Sequence, residues 1–453
     1  MTSIFYLGTD SNRILVVEVD NKSGALVTIL QDVSPVAPNT LNLKEGIYNG
    51  IATEWISRHP TLPLLYALTS YWNAQEACVT TFNIHEKTGL LTQLGIPAST
   101  GGYHAAHATF SSDGSLLVIA HHNDGKIVFF DTSEETAIKE PCCIMDTPEV
   151  VPGTRRTTKP NDGFPGLPSL HHVTYGPNQK YLLTVDPSQD CIFTYAVNEQ
   201  GLPTSKQPTS ILRCLSPHPI IGWFQRAISN LVLKCHQRAR KVAVHPNGKY
   251  LYVLYESINR LQIYSIDAEG IMDASQCWQD VSTLESNATA SDDDGRTESC
   301  YDNMVGIALQ LASELYVTKD GSTLLVANRG DTKVPLLARA ESSIRAFRLD
   351  EEGRKLVPLG CLSGVDGPVR HFVVLGDTTE KTKEPELRIV AGVFQSRQCL
   401  QTYVLRNRRR GMELGPAADG DICGDFELLG EASLPETNVF CIAPMEQEAI
   451  HQH

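Results

Sequence analysis

Across 453 residues the chain holds no Cys-x-x-Cys pair, no basic segment ahead of an apolar one at its start, and no long uncharged apolar run. The first absence removes the usual zinc and dithiol signatures, and the 12 cysteines are expected as thiols packed like small hydrophobes. The second gives no secretory signal, so a cytoplasmic location is expected. The third excludes a membrane-spanning helix, which needs about 18 or more apolar residues. The nearest approach, Pro217 to Leu233, is broken by Gln225, Arg226 and Asn230. No G-x-x-x-x-G-K-[ST], G-x-G-x-x-G after a strand, or G-x-S-x-G occurs, so P-loop, dinucleotide and serine-hydrolase chemistry lose their sequence support. Positive charge is also scarce: Lys plus Arg number 38 against 52 Asp plus Glu, a net charge of −14. Phosphate backbones and anionic lipid repel such a chain, and neither nucleic acid nor membrane is expected as a partner.

What is present is a repeat. A β-rich run, an Asp/Asn-Gly type turn, a second β-rich run, a polar break and a third run recur from His107, His172, Lys241 and Glu314, with turn residues at Asp113, Asn178, Asn247 and Asp320. A glycine follows the third run at Gly24, Gly89, Gly201, Gly270 and Gly353. Asp113-Gly114 and Asn247-Gly248 between apolar runs signal hairpins whose two turn residues are both expected at positive φ. Weaker copies lie at Ala52 to Ile84 and at His371 to Leu405. The opening FYLGTD and ILVVEV and the closing NVFCIAP supply the parts of one more.

Seven antiparallel units without helical patterning predict an all-β, seven-bladed β-propeller, a single domain over residues 1–453, its first blade closed by strands from both termini. Insertions near 133–168 and 279–300 read as surface loops. That at 213–238, with Trp223 and Phe224, reads as a short amphipathic helix or an irregular insertion.

In each hairpin the start of the first strand and the end of the second lie together, opposite the turn. Six residues before the turn proline stand His171 and Arg240, with Ala106 and Ser313 in the equivalent places; nine after the turn Asp/Asn come His122, Pro187, Glu256 and Arg329. If first strands line the central channel, His171, Arg240, Glu256 and Arg329 converge near the axis. Arginine offers a planar fork for carboxylate or phosphate, while His and Glu titrate near enough to neutrality to move protons. The pattern suits a small anionic substrate. His104, His107, His121 and His122 lack an acidic or thiolate ligand at a recognisable spacing, so no metal is assigned, and no cofactor is implied.

The segments AAHATFSSDGSLLVIAHHNDGKI, HHVTYGPNQKYLLTVD, RKVAVHPNGKYLYVLYES and DGSTLLVANRG resemble the seven-bladed propeller lactonases, which include 6-phosphogluconolactonases and carboxy-cis,cis-muconate cyclases. The resemblance runs from FYLGTD to NVFCIAP apart from the insertions. It implies catalytic roles for His171, Arg240, Glu256 and Arg329, with His107, His122 and Asn328 in contact with substrate. Arg238-Ala239 stands where the family has Gly-Pro, and Lys241 where it has His. The implied activity is hydrolysis of a small anionic sugar lactone: the arginines hold the anion and polarise the carbonyl, and His171 or Glu256 activates water. A muconate-type lactonising isomerase, or a propeller that only scaffolds partners, are the other readings. A propeller places the His171 imidazole and the Arg329 guanidinium at one mouth.

Overall fold

In the turn at Asp113 the carboxylate Oδ1 accepts the Ser115 amide at 3.0 Å and the Ser111 hydroxyl at 2.6 Å. Asn178, Asn247 and Asp320 likewise accept the amides of Lys180, Lys249 and Ser322. Such side-chain to backbone bonds fold the chain back without a strained pair of residues. Positive φ therefore falls on one position only, Gly114 at 76°, Gly248 at 73° and Gly321 at 71°, with Gln179 at 56° in the remaining copy. The expectation of two positive-φ residues per turn is corrected.

The computed structural model describes residues 2–35, 51–71, 76–150, 168–214, 237–284, 310–330, 342–365, 367–375, 387–393, 399–409, 422–434 and 439–445. Seven four-stranded antiparallel sheets are formed, and no helix occurs among the described residues. The innermost strands are Val439–Pro444, Ile51–Arg58, Ala105–Phe110, His172–Tyr175, Ala239–Val244, Gln310–Val317 and Val369–Leu375. They head blades one to seven in that order. Blade one joins both ends of the chain: Tyr6, Leu7 and Gly8 pair with Ala443, Ile442 and Cys441. A seven-bladed propeller closed in this way is as the repeats predict.

The core runs as seams between blades. One cluster packs Tyr181, Leu183 and Val185 of blade four against Val242, Leu251 and Val253 of blade five. Another packs Val390 and Leu400 of blade seven against Leu7 and Val17 of blade one, completing the ring. A sheet covered on both faces has no solvent side, so its second strands are largely apolar and buried at every residue, as in Leu116–His121 and Tyr181–Asp186.

The insertions differ from the expectation in part. The stretch 133–168, expected as loop, contains the strand Cys143–Asp146, which pairs with Lys126–Phe129 as the outer strand of blade three. Gln279 to Ser282 close the outer strand Met272–Ser282 of blade five. Residues 151–167, 215–236 and 285–300, including the expected helix around Trp223, lie outside the described residues. The thiols of Cys191, Cys214, Cys399 and Cys441 are buried as expected, whereas Cys142 and Cys277 are exposed.

Candidate active site

The innermost strands share a defect in their pairing. In blade two Thr53 faces Thr69 and Trp55 faces Leu68, so Glu54 is left over. The same slip omits Ala106 in blade three, Arg240 in blade five, Ser313 in blade six and Phe440 in blade one. In blade seven it falls between Val369 and Phe372, at Arg370 and His371. A bulge inserts one unpaired residue and breaks the alternation of faces, so two consecutive side chains can turn the same way. In blade four regular pairing starts at His172, and His171 precedes it with its amide on Val185 O at 2.9 Å.

The result is a cavity of ≈ 260 Å³ on the propeller axis, lined in two tiers. The bulge residues Glu54, Ala106, Arg240, Ser313, Arg370 and Phe440, with His171 in the equivalent place of blade four, form the upper tier. Trp55, His107, His172, Lys241, Glu314 and His371 form the lower one. Four further residues reach the same space from the strand ends and loops: His104, His122, Glu256 and Arg329, joined at the lip by Arg238.

Glu256 organises one side. Its Oε1 accepts Arg240 Nη1 at 2.8 Å and also Arg329 Nη2, while Arg238 Nε stands 3.2 Å from Oε2. The carboxylate is 3% exposed. Burial alone would raise its pKa, but Arg240, Arg329 and Arg238 outweigh burial and hold it at about 2. Burial in turn lowers Arg240 to about 9, with Glu256 opposing, so the ion pair is intact at neutral pH. A carboxylate held this way is a weak base and a strong anchor.

The other side is histidine-rich. Burial, with Arg240 next in size, drives His171 well below its ordinary value, and burial holds His104 and His122 at about 4. All three are neutral imidazoles at pH 7. His171 and His122 meet edge to face at 5.7 Å between centroids, His122 and His104 at 5.4 Å, and His104 Nε2 lies 3.9 Å from Glu54 Oε1. The loop carrying His171 is tied down by Ser169 N on Asp186 Oδ2 at 3.0 Å and Leu170 N on His121 O at 3.0 Å.

The lower tier is a floor. Trp55 packs on His107 at 4.3 Å and His371 at 5.0 Å, with Lys241 Nζ 5.4 Å from its ring centre. His107 packs against His172 at 4.2 Å between centroids, the rings tilted by 52°. Lys241 is ion-paired with Glu314, which also faces His371 Nε2 at 3.7 Å.

His171, Arg240, Glu256 and Arg329 thus open into one cavity, with His122 beside them and His107 beneath. Asn328 does not join them. Successive strand residues face opposite ways, so Asn328 points away from Arg329, accepting the Thr283 hydroxyl at 2.7 Å and donating to Thr283 O and Ser343 Oγ. The sequence does not single out Glu54, Arg370 or Arg238, and it offers His104 only as a metal ligand that lacks partners. Glu54 stands six residues before Pro60 and Arg370 six before Gly376, the spacing that selected His171 and Arg240. His104 and Arg238 reach the cavity through positive φ, 57° and 56°, in loops bonded alike: His122 N to His104 O and Glu256 N to Arg238 O. No motif announces that.

Four guanidinium groups and the Lys241 ammonium meet three carboxyl groups, Glu54, Glu256 and Glu314, in this cavity, so its field favours an anion. The family profile described as Lactonase, 7-bladed beta-propeller, matches residues 36–213 and 228–374. The 6-phosphogluconolactonase of Bacillus subtilis (strain 168) is 22% identical over 256 residues, 56% of this chain and 58% of that protein, so the match spans less than two thirds of it. Among solved structures, a Bacteroides fragilis protein provisionally described as a 6-phosphogluconolactonase superposes with TM-score 0.61 at 16% identity, covering 98% of both chains. The periplasmic gluconolactonase of Pseudomonas aeruginosa gives 0.57 at 15%, covering 94% of this chain and 99% of that one. At such identities the structures speak for the fold. With the profile covering most of the sequence, the chain belongs to the seven-bladed β-propeller lactonase family.

Proposed function

We propose that this protein hydrolyses a small anionic sugar lactone, in the manner of a 6-phosphogluconolactonase. The observation that carries the reading is the pairing, within one ≈ 260 Å³ cavity, of an arginine cluster anchored on Glu256 with the neutral imidazole of His171. The arginines bind the anionic group and face the carbonyl oxygen, where negative charge develops as water adds. His171 accepts the proton of that water, because beside Arg240, Arg329 and the ion-paired Glu256 it is the uncharged base at neutral pH. Glu256 holds the guanidinium groups in place. The ring C–O bond then breaks, and the product is the open hydroxy acid.

A bound anion near Arg240 and Arg329 raises the His171 pKa by offsetting the positive charges that lower it, so substrate strengthens its own base. The test is hydrolysis of glucono-δ-lactone and its 6-phosphate, alongside lactonisation of carboxymuconate, by wild type, Arg329→Ala and His171→Gln. Hydrolysis by the wild type, at least 100-fold slower in both variants, is expected. Equal rates in all three would end the enzyme reading in favour of a scaffold, and lactonisation without hydrolysis would move it to the cycloisomerases.

A further inference from the structure

Hydrolysis of a lactone needs two proton transfers: one from the attacking water, one to the departing ring oxygen. The reading above supplies only the first. Of the other two carboxyls of the cavity, Glu314 is ion-paired with Lys241, whereas the setting of Glu54 is the reverse of that of Glu256. Its side chain is 10% exposed, and Oε1 has no hydrogen-bond partner. It sits on the bulge of the blade-two strand and lines the same cavity as His171, with the His122 and His104 rings forming a row between them: His171 to His122 at 5.7 Å, His122 to His104 at 5.4 Å, and His104 Nε2 3.9 Å from Glu54 Oε1.

We infer that Glu54 is the proton donor to the leaving oxygen, and that the His122–His104 row returns the proton from His171 between turnovers. This rests on the lactonase reading. Water oxygen bonds to the carbonyl carbon as one water proton passes to His171. The ring C–O bond then breaks, its electron pair goes to the ring oxygen, and that oxygen takes the Glu54 proton. His171 is left protonated and Glu54 ionised. Transfer along His122 and His104 restores both without a co-reactant.

The groups facing Glu54 are Arg370 from blade seven, His122 and His104 from blade three, Arg240 from blade five and Cys441 from blade one. Burial raises the Glu54 carboxyl above its usual range, with Arg370, His122 and Arg240 pulling the other way. The ion-paired Glu256 has no such proton to give. One tuned up and one tuned down is the arrangement by which two carboxyls divide their duties.

The experiment uses the full chain and 6-phosphoglucono-δ-lactone across the pH range in which the fold is stable. Wild-type kcat is expected to decline as pH rises and Glu54 ionises. Glu54→Gln should lower kcat about 100-fold with KM within about 3-fold, and lose the decline, the size expected for one acid–base group. Glu54→Asp should keep the decline and recover part of the rate. His104→Gln should slow turnover in dilute buffer and recover with added imidazole. Wild-type kcat in Glu54→Gln, or an unchanged pH decline, overturns the assignment, and no recovery with imidazole overturns the return path. A wild type inert toward every lactone instead removes the lactonase reading itself, an outcome distinct from an active wild type matched by Glu54→Gln.

Discussion

Arg240 Nη1 donates to Glu256 Oε1 over 2.8 Å, a bond between the bulged residue of an innermost strand and the residue that follows the strand beside it. The same guanidinium gives its Nε to Ser313 O of the next blade at 3.1 Å, so one side chain ties two blades and the cavity together. Stability and substrate binding meet at this contact.

Removing the Glu256 carboxylate leaves Arg240 buried without its counter-charge. Breaking one partner of a buried pair costs about 3–5 kcal/mol, because the remaining charge stays desolvated. Glu256→Gln is therefore expected to lower the urea midpoint clearly at pH 7, and glucono-lactone turnover with it. An unchanged midpoint would mean that Arg329 and Arg238 carry no shared dependence on this group.

Acid should destabilise the fold. The folded-state pKa is about 4 for His104, His122 and His371 and about 3 for His121, all lowered by burial. The unfolded chain protonates these rings near pH 6.5, so it binds more protons between there and the folded values, and stability falls as pH drops through that window. Each ring contributes about 1 kcal/mol of loss between pH 7 and 5.5. Glu256, held at about 2, adds a further loss only below about pH 4.5. Urea unfolding at both pH values is expected to show the histidine loss, and His121→Asn to flatten it by one proton. A stability independent of pH over that range would refute the neutral, buried state of these rings.

Much of this site could be read from residue spacing. Asp113, Asn178, Asn247 and Asp320 mark their turns strongly, and counting back from them lands on the bulge that turns side chains inward. Glu54 and Arg370 obey the same count, from Pro60 and Gly376, yet no Asp or Asn follows Pro60 to mark the turn, and Gly376 replaces the proline in the other copy, so the signal is weaker there. Lys241 and Glu314 sit one residue past the bulge, where simple alternation would turn them outward. The inward orientation of Arg238 depends on a positive φ, and the misplacement of Asn328 came from granting adjacent strand residues one face.

Arg238 offers a test of that backbone. A non-glycine residue at φ 56° costs about 1 kcal/mol, which the fold retains here while its Nε faces Glu256 Oε2 at 3.2 Å. Its side chain is 45% exposed, so little packing is lost on truncation. Arg238→Gly is expected to leave the thermal midpoint unchanged or higher while raising KM for an anionic lactone about 10-fold. A lower midpoint with unaltered KM would make Arg238 a structural residue only.

Trp55 reports on the cavity from below. The sequence has 4 tryptophans, and Trp55 forms the floor, with His107 at 4.3 Å on one side and its indole Nε1 donating to Ser57 Oγ at 3.0 Å. An anion entering above it changes the field at the ring, where Lys241 already sits 5.4 Å from the centroid. Titration with 6-phosphogluconate, the ring-opened acid, is expected to shift or quench the emission saturably. Trp55→Phe keeps an aromatic floor, so it should retain binding by calorimetry and lose the fluorescence change. A response that survives in Trp55→Phe would mean that another tryptophan reports it and would end the reading of Trp55 as the reporter; Trp278, the other described tryptophan, does not line the cavity.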